Sequence, residues 1–192
     1  MNSLEQDILS LLHNGNTSYK YFYLLGCLDS IKNGKFEYTF NELSKYMISE
    51  VFIYGDFADC RFTKNDRLFD LITYLSNLDA EFLLLNSISD IIKLLDKYEI
   101  EDVYVSKKIK ELVLYVPYRL IVNDEIKNII SNKKDASKNK IIEEASKNIE
   151  TIYIIDNHKI IWRDKYYNFI LLNRSLLKQK VIETINHKFR KE

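Results

Sequence analysis

Three features of this 192-residue sequence predict a mainly α protein, α+β by virtue of one small β-hairpin. With only 4 Gly and 1 Pro, few positions break a helix. Apolar residues recur at i, i+3, i+4 and i+7 in one segment after another, the spacing that lines one side of a helix. Two β-prone runs, Ile152–Ile155 and Lys159–Trp162, flank Asp156, Asn157 and His158, which is a hairpin pattern. Apolar side chains make up 46% of the chain, enough to build a core and to exclude a disordered chain.

In chain order, Leu4, Ile8, Leu11 and Leu12 predict a short first helix stopped by Asn14 and Gly15. Tyr21, Leu24, Leu25, Leu28 and Ile31 predict a second, with Thr17 or Ser18 as N-cap and Asn33–Gly34 at its end, Gly34 suiting a positive φ just past a C-terminus. Phe36, Tyr38 and Phe40 alternate with polar residues as a short extended piece. Thr39 and Glu42 then form a capping box, with Tyr38 and Leu43 as its hydrophobic staple. Leu43, Tyr46, Met47 and Val51 give the buried stripe of the helix that follows. Tyr54–Phe62 reads as an irregular connection anchored by Tyr54, Phe57 and Phe62, and Thr63–Asp66 offers a cap for a helix from about Asn65 to Asn77.

Glu81–Leu85 can form a turn of helix. Ser87 with Asp90 repeats the capping arrangement ahead of Ile88, Ile91, Ile92 and Leu95. Val103–Val105 reads as a short strand before Ser106. Ile109, Leu112, Val113 and Val116 line a helix closed by Pro117, because the residue before a proline is pushed out of the α region. Asn123–Ser131 is a short helix, and the lysine-rich segment Asn132–Lys140 is a mobile loop or boundary. This divides the chain into a helical part, residues 1–131, and a hairpin-plus-helices part, residues 132–192, packed as one body. The tetrapeptide ASKN occurs twice, at Ala136–Asn139 and Ala145–Asn148, too short an echo for a repeat architecture. After the hairpin come helices at Asp164–Leu172 and Ser175–Phe189, the latter turning Leu177, Val181, Ile182, Ile185 and Phe189 inward. Helices and hairpin between Ile141 and Arg174 form a winged-helix-like unit on one reading, and a core-closing device on the other.

Formal charge is zero, but residues 1–100 hold 9 Lys/Arg against 15 Asp/Glu, and residues 101–192 hold 19 against 13. The basic second half can meet nucleic-acid phosphates, the acidic first half or an acidic partner. Cys27 and Cys60 make neither a metal-site spacing nor a disulfide framework, which points to a reducing compartment, with the cytoplasm as default. No apolar run approaches the roughly 20 residues that span a bilayer, so membrane insertion is not expected.

No complete catalytic motif is present. His158, Asn173 and His187 bear the residue types of an HNH nuclease site, in which one His activates water and the others serve a divalent metal. Against that, His158 falls in a tight turn, the loop that would hold the Asn is missing, and His187 lies far along a basic helix. Asp156 and Lys159 lack the Glu-X-Lys strand of the other common nuclease pattern, and Glu143 and Glu144 fit solvated helical pairs with Lys140 and Lys147. There is no Gly-X-Ser-X-Gly elbow and no Gly-rich phosphate loop. The aromatic groups Tyr19, Tyr21, Phe22, Tyr23 and Tyr166, Tyr167, Phe169 read as core, with base stacking as the alternative. No cofactor and no metal are expected.

Four blocks carry a family resemblance: SYKYFYLLGCLDSI at Ser18–Ile31, FNELSKYMISEVF at Phe40–Phe52, FTKNDRL at Phe62–Leu68 and YVPYRLI at Tyr115–Ile121. In order and rough spacing the chain resembles the N-terminal region of bacterial HNH endonuclease domain proteins. It departs from that pattern in lacking a proline after Phe52, in having Thr63 where glycine would stand, and in ending about where the nuclease module would begin. The resemblance implies an accessory region of a restriction-like or defence-associated protein: a non-catalytic module that binds double-stranded DNA or docks a nuclease or defence-complex protein. DNA contact is assigned to Lys133, Lys134, Arg163, Lys165, Arg174, Lys178 and Lys188. The alternatives are a protein-binding inhibitor or subunit of a nuclease complex in phage–bacterium conflict, and a degenerate metal-dependent nuclease.

Overall fold

The computed structural model describes residues 3–12, 18–32, 34–54 and 67–189, the side chains of residues 135, 136 and 189 excepted. It is mainly helical with a small sheet. α1 (Ser3–Ser10), α2 (Ser18–Ser30), β1 (Glu37–Thr39), α3 (Phe40–Tyr54) and α4 (Arg67–Leu78) lead into a 3-10 turn at Ala80–Leu83. Then follow α5 (Ile88–Glu101), α6 (Val103–Leu112), α7 (Val116–Leu120), α8 (Asp124–Ile130), α9 (Asp135–Asn148), β2 (Tyr153–Asp156), β3 (Lys159–Trp162) and α10 (Asp164–Phe189). No described helix is long and apolar enough to cross a membrane.

α2 is the centre. Every residue from Tyr21 to Leu28 is buried, because α3, α7 and α10 pack against it from different sides. A helix enclosed in this way is apolar all round. Its closest approach is to α3 at Gly26, where an added Cβ would lie 2.6 Å from the Met47 amide nitrogen. α2 ends at Ser30, so Gly34 is not its cap. It occupies, at φ +81°, the turn that joins the bridged residues Lys32 and Lys35.

The capping box forms as the sequence indicates. The Glu42 N–H donates to Thr39 Oγ1 at 3.1 Å, and the Thr39 N–H donates to Glu42 Oε2 at 2.8 Å. The extended piece before it is β1, and it joins the hairpin. The sheet has strand order β1-β3-β2, antiparallel throughout, with Tyr38 opposite Ile160, Tyr153 opposite Trp162 and Asp156 opposite Lys159. Tyr38, Tyr153, Ile155, Ile160 and Trp162 face the core. Asn157 and His158 turn the hairpin with φ of 45° and 61°, and positive φ at both central residues is the mark of the two-residue turn that matches strand twist.

Five expectations about the chain path are corrected. Val103–Val105 is helix, not strand: the Asp102 carboxylate accepts the Tyr104 and Val105 N–H groups and starts α6 there. Pro117 opens α7 rather than closing the preceding helix. α6 has already ended at Leu112, and a first-turn proline sacrifices no intrahelical bond. Asn132–Lys140 is not one polar loop, because α9 begins at Asp135 and its Ile142 and Ser146 are buried. The two C-terminal helices are one, α10, since Asn173 and Arg174 do not break it and the Asn173 amide donates back to the Phe169 carbonyl at 2.9 Å. Ser87 is the N-cap of α5 as expected, but its hydroxyl pairs with Ser89 and no box forms with Asp90. The caps placed on Thr17 and Thr63–Asp66, the connection through Phe57 and Phe62, and Cys60 lie outside the described residues.

Candidate nucleic-acid interface

α8, residues 131–134 and α9 form a helix–turn–helix, and β2 and β3 follow directly, with β1 as third strand beside β3. Asn123 starts α8, its side-chain oxygen accepting the Ile126 N–H at 2.9 Å. α9 lies along the edge of β2. The Ile155 N–H donates to Ser146 Oγ at 3.0 Å, the Asn157 N–H to Glu143 Oε1 at 3.0 Å, and Lys147 pairs with Asp156 at 3.1 Å. Three links along one helix fix the hairpin relative to α9. The line between residues 131 and 132 falls within the α8–α9 turn, and β1 and α2 on one side of it pack against β3 and α10 on the other.

The seven basic residues assigned to DNA do not gather on one face. Lys133 and Lys134 are exposed at the α8–α9 turn, where neither makes an ion pair among the described residues. Arg163 turns inward, and its Nη2 donates to the Ser146 and Ile149 carbonyls, 2.9 Å each, capping the C-terminal end of α9. Lys165 pairs with Glu150. Arg174 Nη1 donates to the Ile31 carbonyl at 3.1 Å, just past the end of α2. Lys178 is held between Asp29 and Glu50. Lys188 Nζ donates to the Tyr21 hydroxyl at 2.8 Å. The second half's positive charge is partly spent on the first half's acids, and Lys180 with Glu5 and Lys159 with Glu37 follow the same rule. Lys140, exposed one turn into α9, was not assigned to DNA and belongs with Lys133 and Lys134.

Lys178, Asp29 and Glu50 form a charged cluster in the interior. Glu50 is fully buried, and burial, with the adjacent Asp29 carboxylate, pushes its carboxyl up to about 9 against the opposing pull of Lys178. It sits among packed helices, away from α9 and the hairpin.

The HNH residue types are not assembled. His158 is exposed in the hairpin turn with its ring edge-on to Phe40, while Asn173 and His187 are both on α10, separated by about 21 Å along the axis at 1.5 Å per residue. No group of three His, Cys, Asp or Glu side chains among the described residues could hold a metal ion. Glu144 and Lys147 do pair as the helical spacing suggests, at 3.5 Å. The aromatic runs are core, and apart from the buried Tyr23 hydroxyl their hydroxyls are bonded. Tyr21, Phe22, Tyr23, Tyr166 and Tyr167 are buried, Tyr166 donating to Asp7 at 3.0 Å and Tyr167 to the Lys32 carbonyl at 2.6 Å. Comparison with protein-family models, with curated proteins and with solved structures finds no match to this chain.

Proposed function

We infer that this chain is a non-catalytic binding module that meets double-stranded DNA through the α8–α9 turn and the first turns of α9, with the hairpin as a flanking wing. The reading is supported chiefly by Lys133, Lys134 and Lys140, which stand exposed and without an ion pair among the described residues at that turn and helix start. Arg163 and Lys178 are partly buried on internal partners, and the exposed Lys165 and Arg174 are bonded to Glu150 and the Ile31 carbonyl. Lys134 at the N-cap offers no side-chain acceptor to the first-turn N–H groups of α9. A helix N-terminus with neighbouring lysines favours phosphate oxygens. A helix–turn–helix followed by a hairpin places such a helix in a groove with the hairpin beside the backbone. The resemblance to the accessory region of HNH endonuclease domain proteins agrees with binding without cutting.

The test is fluorescence anisotropy on a labelled duplex, titrated with salt. Each phosphate contact adds about 0.9 to the steepness of log affinity against log salt, so charge reversal of Lys133, Lys134 and Lys140 should lower that slope by about 2 to 3 and weaken binding at least tenfold. Absence of binding at low salt sinks the DNA reading. The second reading, docking of a nuclease or defence-complex protein, is then preferred. It is favoured by Leu172 and Leu176, one turn apart on α10 and 84% and 46% exposed, and is checked by co-purification in fixed stoichiometry.

A further inference from the structure

A cleft of about 500 Å³ opens where the start of α3, the loop after α6, α7, the first turns of α9 and the hairpin turn converge. Its walls are Phe40, Val113, Leu114 and Tyr118, and its rim carries Lys110, His158 and Lys159, with three asparagines and no carboxylate among the lining residues. The volume is that of a site for a small organic molecule. Phe40 organises the rings: Tyr118 meets it edge-on at 5.5 Å and His158 edge-on at 5.7 Å. Nearby acids are already engaged. Glu42 is held by Thr39 and Lys35, Glu143 by the Asn157 amide and Glu99 by Lys45, while Glu37 reaches Lys159 only at 3.9 Å.

Tyr118 is the decisive side chain. It is 5% exposed, and its hydroxyl has no hydrogen-bond partner among the described residues. Buried tyrosine hydroxyls usually find a partner, as Tyr153 does with the Pro117 carbonyl at 2.8 Å in the same region. A tyrosine set in an apolar wall, with a free hydroxyl on a cleft, is placed to bond a guest. Beside it Asn139, fixed by its amide to the Leu114 carbonyl at 2.8 Å, leaves its Oδ1 buried and unbonded.

We propose that this cleft binds a small organic anion with a flat aromatic body: the ring lies between Phe40, Leu114 and Tyr118, the Tyr118 hydroxyl bonds its polar edge, and Lys110 and Lys159 neutralise its carboxylate, sulfonate or phosphate. Apolar walls supply the burial, and Lys110 and Lys159 at the rim, the latter shared with Glu37 at 3.9 Å, supply the selection for negative charge. The site stands whether or not α9 meets DNA. The probe is 1-anilinonaphthalene-8-sulfonate, titrated by fluorescence beside N-phenyl-1-naphthylamine, which has the same rings without the charge. The expected result is saturable binding of one sulfonate per chain. It should weaken at least tenfold in Leu114→Glu and in Lys110→Glu/Lys159→Glu, remain unchanged in Ile100→Glu, a residue 87% exposed and outside the cleft, and exceed that of the neutral amine. Leu114 is 45% exposed, so its replacement leaves the core intact. Tyr118→Phe should keep the parent's melting temperature, since no internal bond is lost, yet weaken the sulfonate threefold or more. Binding that does not saturate, that survives Leu114→Glu, or that is as tight for the neutral amine overturns the assignment. Competition by benzoate or by adenosine 5′-monophosphate then tells a carboxylate guest from a phosphate one.

Discussion

Lys178 Nζ lies 3.2 Å from Glu50 Oε1 and also touches Asp29, so one cation from α10 serves two acids on α2 and α3. Because burial and Asp29 raise the Glu50 carboxyl to about 9, the folded protein holds a proton near neutrality that the unfolded chain, with an ordinary glutamate near 4.3, releases. Stability from this group is therefore full below about pH 4.3 and declines as pH rises towards 9. Glu50→Gln, which mimics the neutral acid, should match the parent at about pH 4 and exceed its melting temperature increasingly up to pH 9. Parallel melting curves across that range would contradict the raised value.

Removing the cation has the opposite consequence. Lys178→Met leaves the Asp29 carboxylate beside protonated Glu50 without its cation and should cost about 3 kcal/mol in chemical denaturation. The loss should appear in the melting temperature of the isolated protein, and the salt slope of any duplex binding should not change.

Gly26 sets how closely α2 approaches α3. A methyl group there meets the backbone of Met47, which cannot rotate out of the way as a side chain can. Gly26→Ala should lower stability by about 1–3 kcal/mol, despite alanine's better helix propensity. An urea titration in which alanine stabilises the protein would refute the close crossing.

Thr39→Ala removes the acceptor for the Glu42 N–H at the start of α3 and should cost about 1 kcal/mol. Thr39→Ser should recover most of it, because the hydroxyl alone makes the bond.

Cys27 is fully buried in α2, and burial raises its thiol well above the ordinary range. The thiolate is the species that reacts, so Cys27 should resist iodoacetamide in the native protein and become labelled at the rate of global unfolding. Mass spectrometry of peptides containing residue 27 reads this directly.

What the sequence revealed was local. Thr39 and Glu42 are three residues apart, so their mutual bonds depend on nothing else in the chain. Asn157 and His158 sit between two β-prone runs and turn as such a pair should. Asp102 was equally local, but the β-branched Val103 and Val105 masked its capping role behind a strand signal. Continuity of α10 was hidden because the polar run Asn173–Ser175 resembles a break. Nothing in it excludes helix, and the Arg174 bond to the Ile31 carbonyl is made to a residue far away in sequence. The same limit governs the candidate interface. Sequence shows that Arg163, Lys165, Arg174 and Lys178 are cationic, but only the fold shows that each already has a carbonyl or carboxylate to satisfy. The cleft was least visible, since Phe40, Lys110, Tyr118 and Lys159 come from four separate elements and share no spacing.

The register that sets Glu37 beside Ile161 joins residues near opposite ends of the described chain. Pairing partners so distant must wait until the chain has been made past Ile161, and closing so large a loop slows folding more than forming any single helix does. A chain emerging from the ribosome carries β1 as an unpaired edge until β3 is free to reach it. Truncation before Lys159 would make that exposure permanent, leaving a template for aggregation in place of the finished sheet.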